Sequence, residues 1–138
     1  MLAMRKCLLI VIGFTCLAAA QDMQEGRLLR FPDISKDKIA FMYGGDLWLV
    51  SSSGGTASRI TSHPGRELFP KFSPDGKWLA FTGQYDGNFN VYVMPATGGQ
   101  PRQLTFYQGA AGQLSDRMGI HNEVIAWTPD SQRMRCGK

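Results

Sequence analysis

The sequence predicts an all-β fold: a partial β-propeller of about two blades plus the start of a third, following an N-terminal signal peptide. The first observation is a turn followed by a strand that recurs at Phe31–Phe41, Phe72–Phe81 and Trp127–Met134. The second is the matched order of strand, turn, strand, Gly-Gly turn and strand in the first two copies. Propeller blades repeat at roughly 40–50 residues with four short strands each, which is the period seen here.

The period of the repeat is read from equivalent residues. Ala40 and Ala80 lie 40 residues apart, and Gly54 and Gly98 lie 44 apart because the second copy has a longer hairpin loop. The third copy begins 55 residues after Phe72, so an insertion precedes it. The predicted organisation is a signal peptide over residues 1–20 and an incomplete propeller over 21–138, with repeats at about 28–65, 66–108 and 123–138.

Three strands are predicted in each of the first two repeats. They are Lys38–Tyr43, Asp46–Val50 and Ser58–Thr61, then Lys77–Thr82, Phe89–Met94 and Pro101–Thr105. Alternate residues of Phe89–Met94 point to opposite faces, so we expect one face to be buried and the other to be partly exposed. An unrelated β-meander or sandwich is the alternative fold, and the matched order of turns and strands favours the propeller.

Aspartates recur beside the turns. Pro74-Asp75-Gly76 fits a type I turn, because proline presets φ, aspartate caps locally and glycine accepts a positive φ. Asp33, Asp75 and Asp130 fall at places that the repeats make equivalent. This recurrence indicates turn capping rather than catalysis.

Two tryptophans are expected to be buried. Trp48 alternates with Leu47 and Leu49, and Trp78 opens the strand that ends at Phe81. Burial of an aromatic side chain contributes roughly 2–3 kcal/mol, and its truncation is expected to cost about 3–5 kcal/mol.

Residues 1–20 have the organisation of a signal peptide. Arg5 and Lys6 form a basic region, residues 8–17 form an apolar region, and three alanines precede a cleavage point before Gln21. The apolar run is shorter than a comfortable membrane-spanning helix requires. We therefore expect a periplasmic or secreted protein with no membrane association beyond the signal peptide.

The cysteines and charges exclude several classes of function. Cys7 and Cys16 lie in the signal peptide, which leaves Cys136 alone in the mature chain and no disulfide or thiol-metal framework. Cys16 raises a lipoprotein alternative, although Gly13-Phe14-Thr15 is a poor match to the usual lipobox. The formal net charge is +4 and the basic residues are scattered, so nucleic-acid binding is not indicated.

The sequence predicts no catalytic, cofactor-binding or metal-binding residue. It lacks a Gly-x-Ser-x-Gly elbow, and its two histidines, His63 and His121, fall in loops where we expect both to be solvated. Asp116, His121 and Glu123 lack the ligand spacing that zinc sites favour. The segment Gly109–Gly112 lacks the lysine and the helix of a phosphate-binding loop.

The length predicts an unclosed ring, because propellers typically have about four to eight blades. After Asp130 an apolar strand is expected, whereas residues 133–138 are largely basic. We therefore expect a fragment or a truncated reading frame, with a small complete protein as the alternative. Phe89, Val91 and Val93 are expected to face a missing blade, which predicts marginal stability and self-association.

Longer runs of sequence resemble the N-terminal propeller of tricorn-type proteases. Tyr-Gly-Gly-Asp-Leu-Trp at 43–48 and Gly-Gln-Tyr-Asp-Gly-Asn at 83–88 carry the resemblance, which covers about residues 28–134. The Ser-Pro-Asp-Gly unit at 73–76 is less specific. It also resembles the repeats of TolB-like periplasmic propellers and of the propellers of prolyl-oligopeptidase relatives.

The resemblance implies a large serine peptidase, in which propellers precede a PDZ-like domain and a catalytic domain related to the C-terminal-processing peptidases. The propellers of that family are thought to route or gate peptides, so the implied partner is a peptide or protein substrate of the parent protease. The parent can be an oligomer, and no cofactor is implied. The alternatives are a TolB-like periplasmic propeller that binds protein partners and the gate propeller of an oligopeptidase.

Overall fold

The computed structural model describes residues 28–106 and 122–137 and confirms the predicted all-β class. The signal-peptide prediction falls outside these residues, which contain no helix long and apolar enough to cross a membrane. The ten strands are β1 (Arg30–Ser35), β2 (Lys38–Tyr43), β3 (Asp46–Ser51), β4 (Ser58–Arg59), β5 (Glu67–Phe72), β6 (Trp78–Gly83), β7 (Asn90–Pro95), β8 (Arg102–Gln103), β9 (Glu123–Trp127) and β10 (Met134–Gly137).

The strands form two four-stranded antiparallel sheets and a hairpin. The first sheet has the order β1-β2-β3-β4, and the second sheet has the order β5-β6-β7-β8. Strands β9 and β10 pair in a hairpin, which we call the third hairpin because it is the third unit along the chain. Consecutive strands are neighbours throughout, which is the meander of a propeller blade. Strand β5 contacts both β1 and β9, so the three units stand side by side through their first strands. The result is the expected partial propeller.

Strands β1 and β5 are additional to the predicted strands, and both contain a Phe-Pro pair at a register shift. Phe31 has φ 52° and Phe69 has φ 53°, which is left-handed backbone that aromatic residues rarely adopt. Their rings lie 4.4 Å apart between centroids. Phe31 therefore corresponds to Phe69 and not to Phe72, which corrects the predicted alignment of the first repeat.

One face of the second sheet packs against the first sheet, and we call this contact the first seam. Leu79 and Phe81 of β6 are fully buried there against Leu47 of β3, which is also fully buried. The ring of Phe81 stacks on Tyr92 at 5.7 Å, and Tyr92 contacts Tyr85 at 4.5 Å. The first seam is therefore a large core in which aromatic rings pack among aliphatic side chains.

The opposite face of the second sheet packs against the third hairpin, and we call this contact the second seam. Ala80, Val91 and Val124 form its buried cluster, and Trp127 and Met134 pack against that cluster. The buried side chains of this cluster are fewer and smaller than those of the first seam, so they remove less apolar area from water.

Strand β7 is buried on both faces, contrary to the prediction of one partly exposed face. The second sheet lies between the first sheet and the third hairpin, and both neighbours cover it. Phe89, Val91 and Val93 are only 4%, 0% and 5% exposed, so the expectation that they face a missing blade is wrong for these residues. Val91 packs against Val124 instead.

The basic residues near the C-terminus form a strand that the sequence pattern does not predict. Strand β10 pairs antiparallel with β9, and Met134 lies opposite Trp127. Met134 is half-buried against the second seam, whereas Arg135 is exposed. Because successive side chains of a strand point to opposite faces, a segment with basic residues on its exposed face can pair with β9.

Neither tryptophan is buried as predicted. Trp48 is half-buried because it points to the side of β3 opposite Leu47, where its indole Nε1 donates to the Tyr43 carbonyl at 3.1 Å. Trp78 is 42% exposed, since it lines an open cavity together with Leu104, which follows β8. The prediction for His121 falls outside the described residues.

Two of the three recurrent aspartates cap turns as predicted. Asp75 accepts from the Ser73 hydroxyl and the Lys77 amide, and Asp130 accepts from the Thr128 hydroxyl. These hydrogen bonds lower the pKa of both carboxyls.

Asp33 does not cap a turn, because it lies within β1. Its carboxylate accepts from Lys71 Nζ at 3.1 Å and from the Phe72 amide at 2.8 Å, both on β5. Asp33 thus joins the first strands of the two sheets.

Candidate functional site

The most unusual group of the described chain is a buried carboxyl at the first seam. Glu67 opens β5 and is 0% exposed. Its Oε2 accepts from the Leu47 amide at 3.1 Å and from the Thr61 hydroxyl, both of the first repeat. Its Oε1 accepts from the Tyr85 hydroxyl at 2.6 Å. The carboxyl therefore holds together groups from both sheets.

Burial and hydrogen bonding act in opposite directions on this carboxyl. Burial raises the pKa of Glu67 above its usual value of 4.5, and the hydrogen bonds from Thr61, Tyr85 and Leu47 offset only part of the rise. Burial and the neighbouring Glu67 also raise the pKa of Tyr85 far above its usual 10.0. Tyr85 therefore remains a neutral donor, and its ring position is fixed by the carboxyl.

A cavity of about 450 Å³ opens above Tyr85 at the outer part of the first seam, and we call it the seam cavity. Apolar and polar residues from both repeats form its walls. Residues that line it are Ile60, Ser62, His63, Tyr85, Gln100 and Pro101.

His63 is held in a defined orientation in the wall of the seam cavity. Its ring packs on Tyr85 with 4.2 Å between centroids, and its Nδ1 accepts from the Gly65 amide at 2.9 Å. An imidazole whose Nδ1 accepts carries its hydrogen on Nε2 when neutral. His63 therefore presents an Nε2–H donor and an aromatic face.

This arrangement suits binding and not nucleophilic catalysis. In a serine triad the histidine Nδ1–H donates to a carboxylate, whereas His63 Nδ1 accepts from Gly65. The Asp46 carboxylate contacts His63 through the backbone amide at 3.4 Å and not through the ring. His63 is exposed, as its predicted loop position suggests.

The remaining sequence candidates lie mostly outside the described residues. Asp116 and His121 fall outside the described residues, and Glu123 lies at the start of β9. Across 28–106 and 122–137 no three metal-ligating side chains come together. Cys136 is an exposed free thiol.

Sequence reasoning considered His63 only as a solvated loop residue and missed Glu67, Thr61 and Tyr85 as members of a site. One signal was available: Thr61 recurs as Thr105 with the same spacing of 44 residues as the Gly-Gly turns. In both repeats the threonine hydroxyl accepts from a third-strand amide at 2.8 Å. No comparable pattern marks Glu67 or Tyr85, whose roles depend on how the sheets pack.

Comparison with known proteins gives consistent matches. Residues 26–136 match the family model for the tricorn protease N-terminal beta propeller domain. The tricorn protease homolog 1 of Streptomyces coelicolor is 33% identical over 104 residues, which cover 75% of this chain and 9% of that protein. The tricorn protease homolog of Saccharolobus solfataricus is 34% identical over 113 residues, covering 71% of this chain and 10% of that protein.

Solved structures give the same result. The crystal structure of the tricorn protease superposes with a TM-score of 0.61 at 25% identity, covering 75% of this chain and 10% of that one. TolB from Acinetobacter baumannii superposes with a TM-score of 0.55 at 32% identity, covering 71% and 23% respectively. The chain thus spans about a tenth of the length of the tricorn relatives that it matches. It belongs to the tricorn protease N-terminal beta propeller domain family.

Proposed function

We propose that this chain is the noncatalytic propeller portion of an exported tricorn-like serine peptidase and that it routes or gates peptide substrates. The observation that carries the proposal is the family match over residues 26–136, which spans strands β1 to β9 and all but the last residue of β10. The relatives are named tricorn protease homologs, and the matched segment is a small part of each. Under this proposal the peptidase active site lies outside the chain.

The first strands of the three units support a routing role, because they form a connected wall. Asp33 of β1 accepts from the Phe72 amide of β5, and the Trp127 indole of β9 donates to the Lys71 carbonyl at 2.9 Å. The second sheet and the third hairpin are also joined outside their first strands, where the Asp75 amide donates to the Ser131 hydroxyl at 3.0 Å. A wall joined in this way keeps its shape as a peptide passes.

The routing role is tested in the protein encoded by the whole reading frame. Ile34 of β1 is 64% exposed on the first strand of the first sheet, and Ile34→Glu places a charge there. We expect this change to lower kcat/KM for a long peptide roughly tenfold while cleavage of a short peptide is unchanged. Ser58→Glu on the exposed strand β4 is the control. Equal effects of Ile34→Glu on both peptides would contradict routing.

The second candidate is a TolB-like periplasmic propeller that binds protein partners without an attached peptidase. The superposition on TolB at 32% identity favours it. Sequencing of the gene downstream separates the two candidates. A PDZ-like segment followed by a peptidase domain supports the first, whereas further propeller repeats and then a stop support the second.

Export is tested independently of the peptidase. The proposal rests on the basic, apolar and small-residue regions of residues 1–20. N-terminal sequencing of protein from an exporting host is expected to begin at Gln21. Intact Met1 on cytoplasmic protein would contradict export, and lipid labelling that is lost on Cys16→Ser would favour the lipoprotein alternative.

A further inference from the structure

We propose that the seam cavity binds an uncharged segment of a peptide, with an apolar side chain resting on the aromatic pair His63 and Tyr85. This inference rests on the proposed routing of peptides and names a contact for them away from the first strands of the sheets. The seam cavity lies between the loop that follows β4 and the turn that precedes β8.

The size and rigidity of the seam cavity fit a peptide segment. Its volume of about 450 Å³ lies within the roughly 300–1,000 Å³ of typical ligand sites. Tyr85 is fixed from below by Glu67, and His63 is fixed by the Gly65 amide. A Cβ on Gly65 would lie 1.9 Å from the Gln84 carbonyl oxygen, so the loop packs directly on the second sheet. A preformed site of this kind loses little conformational entropy on binding.

The chemistry of the walls matches peptide groups. Ile60, Tyr85 and Pro101 supply apolar surface for a side chain. The His63 Nε2–H donates, and the Ser62 hydroxyl and the Gln100 amide can each donate and accept. A peptide backbone requires both kinds of partner, because each residue presents one donor and one acceptor.

The charges around the seam cavity select against acidic ligands. None of its described lining residues is a lysine, arginine, aspartate or glutamate. Two carboxyls contact its lining residues, Glu67 at the Tyr85 hydroxyl and Asp46 at the His63 amide. Asp46 is already paired with Arg59 at 3.3 Å, which removes most of its attraction for a cation. An uncharged segment therefore fits best, and a segment rich in aspartate or glutamate is disfavoured.

The test is a titration of the full chain, labelled with ¹⁵N, with the capped peptide acetyl-Ala-Phe-Ala-amide, followed by two-dimensional NMR. We expect the shifts to concentrate on the amides of Ser62, His63, Tyr85 and Gln100. Replacement of both alanines of the peptide by glutamate is expected to weaken binding roughly tenfold, which corresponds to about 1.4 kcal/mol.

A matched pair of variants completes the test. Ser62→Trp fills the seam cavity from an exposed position and is expected to weaken binding at least about tenfold. Ser53→Trp makes the same change at an exposed turn after β3 and is expected to leave the affinity unchanged. Shifts located elsewhere, no shifts at millimolar peptide, or equal affinities of the two variants would overturn the proposal. This readout is peptide binding and not turnover. An absence of binding at the seam cavity would leave the proposed routing by the first strands intact, and an absence of routing would leave binding at the seam cavity intact.

Discussion

At the two seams of the second sheet, threonines at equivalent positions of successive repeats make different hydrogen bonds. At the first seam the Thr61 hydroxyl accepts from the Leu47 amide and donates to Glu67 of the next sheet. At the second seam the equivalent Thr105 hydroxyl accepts from the Val91 amide and donates to Asn90 of its own sheet at 3.1 Å.

The partner across each seam differs accordingly. Glu67 lies five residues before Phe72, and Asn122 lies five residues before Trp127, so the two occupy equivalent positions in their repeats. Asn122 donates to the Asn90 side chain at 3.3 Å. Both repeats thus keep the hydrogen bond from a backbone amide to the threonine hydroxyl, whereas the side chain that bonds across the seam differs between them. The first seam depends on an ionisable side chain, whereas the second seam depends on neutral amides.

The largest expected difference concerns the apolar cores of the two seams. Phe81→Ala is expected to lower the free energy of unfolding by about 3–5 kcal/mol, because Phe81 is fully buried and stacks on Tyr92. Val124→Ala at the second seam removes two carbon atoms and is expected to cost about 1.5 kcal/mol. Urea denaturation of the full chain measures both. A larger loss for Val124→Ala would reverse the ranking of the seams.

The two threonines offer a matched comparison of the polar contacts. Thr61→Val removes a hydrogen bond to a buried carboxyl and is expected to cost about 1.5–3 kcal/mol at a pH where that carboxyl is ionised. Thr105→Val removes a hydrogen bond between neutral groups and is expected to cost about 0.5–1.5 kcal/mol. The same denaturation experiment reports both values. Equal losses would show that the carboxyl adds nothing to the first seam.

The two seams are also expected to differ in their response to pH. The pKa of Glu67 in the folded chain is raised above 4.5, so the folded state keeps a proton that the unfolded state releases. Its contribution to stability is therefore fully present below pH 4.5 and declines as the pH rises through the folded pKa. The total decline is about 1.4 kcal/mol for each pH unit that separates the folded pKa from the unfolded pKa.

The measurement is the difference in unfolding free energy between the wild type and Glu67→Gln at a series of pH values. The lowered pKa values of Asp75 and Asp130 affect both proteins equally and act only as the pH falls toward their usual 3.8 and below, so they cancel. Asn122→Ala at the second seam serves as the control and should leave the pH profile of the wild type unchanged. A flat difference for Glu67→Gln would contradict the raised pKa.

The smallest expected effect is that of Trp78, beside the second seam. Because Trp78 is 42% exposed, Trp78→Ala is expected to cost less than about 1.5 kcal/mol, well below the loss for a buried aromatic residue. Iodide quenching of single-tryptophan variants checks the exposure directly. Trp78 should be quenched more strongly than the half-buried Trp48, and the opposite order would contradict the structure.

The repeat architecture could be predicted because its signals are local. The residues of the Pro-Asp-Gly turn and of the Gly-Gly turns favour particular backbone geometries. The strands between them show alternating apolar and polar residues or continuous apolar runs. Strands β1 and β5 were not predicted because they contain Pro32 and Pro70, and proline is normally excluded from the interior of a strand. The buried face of β7 and the exposure of Trp78 depend on which units lie beside the second sheet, and a local pattern carries no such information.

The candidate site was predictable only in part. His63 attracts attention as one of two histidines, and its loop position follows from the adjacent Pro64 and Gly65. Its neighbour Tyr85 and the Glu67 carboxyl that holds Tyr85 come from the second repeat, and Tyr85 reaches His63 only when the two sheets pack. An isolated glutamate at the start of a strand carries no sign of its burial, so the raised pKa of Glu67 could not be anticipated.

The left-handed phenylalanines have a consequence for the substitutions that each position tolerates. An L-residue at positive φ is strained by on the order of 1–2 kcal/mol, and Phe31 and Phe69 share this strain at the same point of successive units. Their rings rest on each other, so each position favours retention of the aromatic ring at the other. The two positions are therefore coupled, because a change of one phenylalanine to glycine would relax its own backbone and leave the other ring without a partner.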